Sequence, residues 1–175
     1  MRIVSHTEGV GELPLKVRIP AWSAKTAVRV VGKTLESAKA GTYFTIRHNW
    51  QLGDVVEIQF DMPVVAHTLD HQVAFTRGPV LLARDSRFGD GDMTEPFRRG
   101  LKDGQTLPSF VAVRTPCDTM WMAFTATLPI GSHTENPEAR LPTTVFFCDY
   151  ASAGNAWRRD NFYRTWFPVE YGPTE

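Results

Sequence analysis

From Leu13 the chain alternates without a miss: Leu13, Leu15, Val17 and Ile19 are set against Pro14, Lys16, Arg18 and Pro20. A period of two places the aliphatics on one face of a strand and the cations on the other. Proline at each end removes a ladder donor, so the strand starts and stops sharply. Trp22 follows where the chain leaves the sheet, large enough to close over the end of a core. The pattern returns at Val28 and Val30, with a hairpin turn at Gly32-Lys33, and again at Tyr43–Arg47. After a turn at Leu52-Gly53-Asp54 it is nearly perfect, with Val56, Ile58, Phe60 and Met62 against Glu57, Gln59 and Asp61, and Pro63 ends it.

Residues 64–69 and 73–76 continue more weakly, and Arg77-Gly78-Pro79 breaks the chain before Val80-Leu81-Leu82-Ala83. This last run is apolar on both faces, which predicts a central strand covered on both sides. Short strands at a spacing of about ten residues, with turn signals between them, predict an all-β sandwich or barrel. Between Asp85 and Ser109 no apolar period survives, and a loop of that length tends to be functional or mobile. Strands resume at Phe110–Val113, Met120–Phe124 and Thr144–Tyr150, with a polar stretch, 131–140, before the last of these. A Gly-Asn loop, 151–160, leads into an aromatic-rich strand over Phe162–Pro168. No stretch carries a helical period. The fold expected is all-β, an antiparallel sandwich of jelly-roll type, either single or as two packed β subdomains.

Composition narrows the function classes. Lys and Arg balance Asp and Glu at 19 each in 175 residues, which argues against a nucleic-acid partner. No run approaches the ~20 apolar residues of a membrane span, and no signal peptide is evident. The cysteines, Cys117 and Cys148, are too few for a disulfide framework and read as small apolar residues, with a bridge between them left open. Met1–His6 already looks like the middle of a strand, which suggests a piece of a larger protein.

Candidate chemistry is sparse. His67 and His71 flank Asp70 at a spacing that suits zinc on a straight strand, but a turn at Asp70 would aim them apart. Asp85, Asp90, Asp92 and Glu95 hint at calcium without its loop spacing, and read as a solvated loop. Asp54 with Glu57, and Glu135 with Glu138, lack the apolar setting that would raise a carboxylate for acid catalysis. Ser132-His133 lacks a nucleophile elbow. No catalytic set, metal site or cofactor site emerges. The five tryptophans offer one binding alternative: Trp22, Trp50 and Trp157 fall near strand ends or loops, where sugar-stacking platforms are built. Trp121 and Trp166 lie inside apparent strands and are expected in the core.

An ordered set of motifs then becomes recognisable: Leu15–Trp22, Val30-Val31-Gly32-Lys33, Gly41-Thr42-Tyr43, Trp50, Gly53-Asp54, Asp61-Met62-Pro63 and Val73–Val80. Over residues 13–84 it resembles the C-terminal β-rich region of glycoside hydrolase family 127, the β-L-arabinofuranosidase-like proteins. Asp149–Trp157 is similar to a motif from an accessory domain that follows this region in some members. The resemblance implies a division into 1–84, a β-sandwich region, and 85–175, an accessory extension packed on it. It also implies a parent glycosidase whose active site, a glutamate and a zinc-bound cysteine cluster, lies in an upstream α/α-barrel domain. None of those positions matches this chain, and Cys117 and Cys148 take no catalytic role from it. The expectation is a non-catalytic region that buttresses the missing barrel domain, its main partner. A glycan held by exposed tryptophans is the alternative.

Overall fold

A computed structural model describes residues 1–7, 11–35, 38–97, 102–107, 110–128, 130, 143–156 and 158–170. The chain divides into two compact units, Met1–Pro63 and Val64–Glu175.

In the N-terminal unit, β1 (Arg2–Val4), β3 (Ala27–Val30), β4 (Lys33–Thr34) and β6 (Val55–Gln59) form one antiparallel sheet in the order β1-β6-β3-β4. A second sheet pairs β2 (Glu12–Arg18) with β5 (Tyr43–Asn49). Val28 and Val30 of β3 and Val56 and Ile58 of β6 share one core with Val17 of β2 and Ile46 of β5, so the two sheets pack face to face as a small sandwich. The alternation of β2 is real, but its burial is graded. Leu13 is 45% exposed, Leu15 is half-buried, and Ile19 is fully buried, so only the C-terminal part of the strand enters the core.

The C-terminal unit builds a larger antiparallel sheet from β7 (Val64–Leu69), β8 (Gln72–Arg77), β9 (Val80–Asp85), β10 (Thr106–Leu107), β11 (Val111–Val113), β12 (Ala123–Leu128) and β13 (Thr143–Asp149). Its order is β10-β7-β8-β9-β13-β12-β11, with β14 (Tyr163–Arg164) beside β9 and β15 (Phe167–Pro168) beside β8. Side chains from opposite ends of this order meet in one cluster: Val64 and Ala66 of β7 with Phe124, Ala126 and Leu128 of β12. The sheet therefore curls over its own core, and Arg77 of β8 stacks its guanidinium 5.0 Å from the Phe124 ring of β12. At the centre, Phe75, Phe97, Phe147 and Phe167 lie ring against ring with centroids 5.3–6.0 Å apart.

β9 is the central strand its apolar run predicts. It pairs with β8, β13 and β14, Leu82 facing the large core and Ala83 a smaller one with Met120, Ala123 and Cys148. The compact units divide after Pro63, whereas the sequence places a boundary after residue 84. The strands between these points, β7 to β9, take their partners from β10, β13, β14 and β15, all later in the chain.

Some strand and core expectations need correction. Phe97, inside the stretch with no apolar period, is fully buried and bridges Ile130 and Val169. The strand expected from Met120 begins only at Ala123, and Trp121, expected in the core, is 74% exposed. The aromatic strand over 162–168 is two short pieces separated by a bend at Thr165-Trp166, which leaves Trp166 partly exposed as well. The turn expected at Asp70 is present: β7 ends at Leu69, β8 begins at Gln72, and Asp70 takes a left-handed φ of 48°.

Candidate functional site

The polar side chains of the C-terminal unit converge where β9 ends. Asp85, the last residue of that strand, is fully buried and caps a short 3-10 turn, Ser86–Phe88. Its carboxylate accepts from the Arg87 backbone N–H (2.9 Å), from Arg87 Nε and Nη2 (2.8 Å each) and from the Gly154 N–H (2.8 Å). Burial alone pushes the Asp85 carboxyl up, but the Arg87 fork and the two backbone donors outweigh it and hold the group below its ordinary value. The same hydrogen bonds raise Arg87. Arg87 uses its remaining donors on Asn155 Oδ1 (2.9 Å), Thr119 Oγ1 (3.1 Å) and the Ser152 carbonyl (2.6 Å), so its guanidinium is saturated.

A second carboxylate, Asp149 at the end of β13, fixes the neighbouring turn. It accepts from the Ser152 N–H (3.0 Å), the Ser152 hydroxyl (2.7 Å) and the Met122 N–H (3.0 Å), while Ser152 Oγ accepts from the Trp121 N–H at 3.0 Å. These bonds occupy the N–H groups of residues 121 and 122. Gly154 then has to be glycine twice over: its φ is +70°, and a Cβ there would stand 2.5 Å from the Tyr163 ring. Asn155 follows, its amide donating to the Thr119 carbonyl at 2.7 Å.

Beside this network lies a pocket of about 650 Å³ with Ser86, Arg87, Cys117, Thr119, Asn155 and Asn161 in its wall. Ser86 Oγ donates to Asn161 Oδ1 at 3.1 Å, and Asn161 Nδ2 is buried with no partner among the described residues. On the far side of the turn, Arg84 is 1% exposed and pairs with Asp90 at 3.3 Å, and Asp90 Oδ2 accepts from the Phe146 N–H at 2.7 Å. The reading of Asp85 and Asp90 as members of a solvated loop is therefore overturned, because each is buried against an arginine. Asp92 stays exposed and binds Thr94 locally. Among the described residues no three His, Cys, Asp or Glu side chains group to hold a metal ion. His67 instead bonds Thr76 at 2.8 Å.

The tryptophans singled out from the sequence have separate surroundings. Trp22 is half-buried with its ring edge-on to Phe60, centroids 5.7 Å apart. Trp50 is 9% exposed, packs edge-on to His48 and donates its indole N–H to the Leu13 carbonyl at 2.8 Å. It lines an apolar pocket of about 260 Å³ with Ile3, Leu13, Leu15 and Asp54, whose carboxylate binds His48 at 3.0 Å. Trp157 lies outside the described residues, as do Glu135, Glu138, Ser132 and His133. The sequence reading missed the Asp85–Arg87–Asn155 and Asp149–Ser152 networks. One signal was present: an aspartate closing an apolar strand, with arginine two residues on, suits a buried cap better than a loop.

Residues 1–62 match the family model of the β-L-arabinofuranosidase GH127 middle domain. A glycoside hydrolase of known structure superposes with a TM-score of 0.66 at 23% identity, over 97% of this chain and 30% of its own. A GH127 β-L-arabinofuranosidase from Geobacillus stearothermophilus T6 gives 0.62 at 22%, over 97% and 28%. Another GH127 β-arabinofuranosidase gives 0.63 at 22%, over 94% and 29%. This chain spans about 30% of the length of these proteins. A comparison with curated proteins gives no match.

Proposed function

We propose, taking residues 1–62 as carrying the GH127 middle-domain pattern, that the chain is a non-catalytic β-sandwich region of a glycoside hydrolase. In this reading it supports an α/α-barrel catalytic domain belonging to the same, longer protein. The observation that carries the reading is one of coverage: almost the whole chain superposes on less than a third of a glycoside hydrolase. The chemistry of the buried carboxylates agrees. A general acid of a glycosidase needs a raised pKa and a free proton to give. Asp85 is instead held below its ordinary value by Arg87 and backbone donors, and Asp149 spends its oxygens on the 149–152 turn and the Met122 N–H. Such groups fix a scaffold.

The test is turnover of 4-nitrophenyl α- and β-L-arabinofuranosides by the purified chain. The reading predicts release no faster than in buffer. Hydrolysis that follows the chain through two orthogonal separations, and disappears in Asp85→Asn, would overturn it.

A further inference from the structure

The pocket of about 650 Å³ beside Gly154 has no part in a supporting role, yet its wall has a definite chemical character. We infer that it is a subsite for a neutral saccharide of one or two rings, and this inference does not rest on the chain's supporting a barrel. Its volume lies within the range of small-molecule sites. Its charges cancel: Arg87 is neutralised by Asp85 at 2.8 Å with its donors spent, and Arg158 and Asp160 bring one charge of each sign to the rim. A phosphate or carboxylate ligand calls for uncompensated cations, and this wall offers none that stands without an opposing carboxylate close in sequence or space. An apolar ligand calls for walls with few hydrogen-bonding groups, and here, among the described residues, Ser86, Thr119, Asn155 and Asn161 interrupt the apolar surface of Pro116, Cys117 and Ala156.

What the wall does offer is hydroxyls and amides: Ser86, Thr119, Asn155 and Asn161, which donate and accept in turn. That mixture matches a polyol, whose every hydroxyl does both. Asn155 is held in place by Arg87 and the Thr119 carbonyl, and one of its two amide protons is left over. Asn161 adds an amide nitrogen that is buried and that no described residue satisfies, so it reaches a ligand only if its side chain turns outward. The groups are fixed before any ligand arrives, since the backbone between them is tied at Gly154 to Asp85 and at Ser152 to Asp149. Preorganisation of this kind reduces the ordering cost of binding.

The experiment is a titration of the isotope-labelled chain, followed by backbone amide NMR, with L-arabinose, D-galactose and lactose, and separately with inorganic phosphate. The inference predicts saturable shifts for at least one sugar, largest at Thr119, Asn155 and Ala156, and no saturable shift with phosphate. Ala156→Phe, which fills the pocket, is expected to weaken binding at least about tenfold, equivalent to ~1.4 kcal/mol. Arg158→Ala, an exposed rim change that leaves the fold intact, is expected to weaken it by a smaller factor. The inference is overturned if no sugar gives saturable shifts, if phosphate competes, if the shifts map elsewhere, or if both variants bind as the unaltered chain does. None of these outcomes bears on the arabinofuranoside assay, so the two readings stand or fall apart.

Discussion

Replacing Arg87 with leucine tests the polar network at the end of β9 most sharply. Asp85 is fully buried, and the substitution removes its two guanidinium bonds at 2.8 Å while sparing the backbone donors of residues 87 and 154. Breaking a buried pair from one side costs about 3–5 kcal/mol, mostly because a charge is left without its partner. The two surviving backbone donors favour the lower end of that range, near 3 kcal/mol. The pH dependence separates this cause from lost packing. In the unaltered chain the folded Asp85 lies below its ordinary value, so its pairing stabilises fully above that value and is lost only as pH falls through the depressed one. In Arg87→Leu, burial is no longer opposed by the guanidinium and carries the carboxyl above its ordinary value. The destabilisation is then full near neutral pH and shrinks as acid protonates Asp85. Urea unfolding followed by tryptophan fluorescence, at several values between about pH 7 and pH 4.5, gives the gap directly. Adding Asp85→Asn to Arg87→Leu should recover part of the loss at neutral pH. A gap that stays constant with pH, together with no recovery in the double variant, would refute the buried-charge argument.

Other expectations follow from single sites. Gly154→Ala should destabilise more than Gly89→Ala in the same denaturant assay; both glycines have positive φ, worth about 1–2 kcal/mol against alanine, but only at Gly154 does a Cβ meet a ring. Equal costs would contradict the close approach of Tyr163. Burial pushes the Cys148 thiol up to about 12, whereas Cys117 is half-buried at the pocket, so the native chain should titrate one thiol with Ellman's reagent near pH 8 and two when unfolded. Two fast thiols in the native state would be incompatible with the packing around Cys148. Trp50→Phe should cost about 1 kcal/mol, from the lost indole bond to the Leu13 carbonyl, and Trp50→Ala about 3–5 kcal/mol. A neutral Trp50→Ala would remove Trp50 from the core.

The strands were legible in the sequence wherever a local period decided them. The alternations of β2 and β6 and the doubly apolar run of β9 need only the pleat and one or two buried faces, and each marks a strand, although β6 stops at Gln59, short of the Phe60 and Met62 that its alternation included. What the pattern could not carry was the depth of burial along a strand. Leu13 and Ile19 look alike in sequence, yet only the second reaches the core. Trp121 was misread because the start of β12 is set from a distance: the Asp149 carboxylate and the Ser152 hydroxyl, in another part of the chain, take the N–H groups of Met122 and Trp121. Phe97 was invisible for the same reason, since its neighbours are single bridges to Ile130 and Val169 and no period surrounds it. The Asp85–Arg87 pair reads as loop charge until the tertiary fold closes over it. The Asp149–Trp157 motif was noticed only by resemblance, and the part that Asp149 to Asn155 play in anchoring the pocket wall follows from hydrogen bonds across 27 to 69 residues of sequence.

The supporting role is tested most directly by melting the longer glycoside hydrolase that this chain is proposed to complete, with and without residues 1–175. The account predicts that removing them lowers the melting temperature of the remaining catalytic domain, and that adding the separate chain back restores part of the loss. An unchanged melting temperature without residues 1–175 would contradict it.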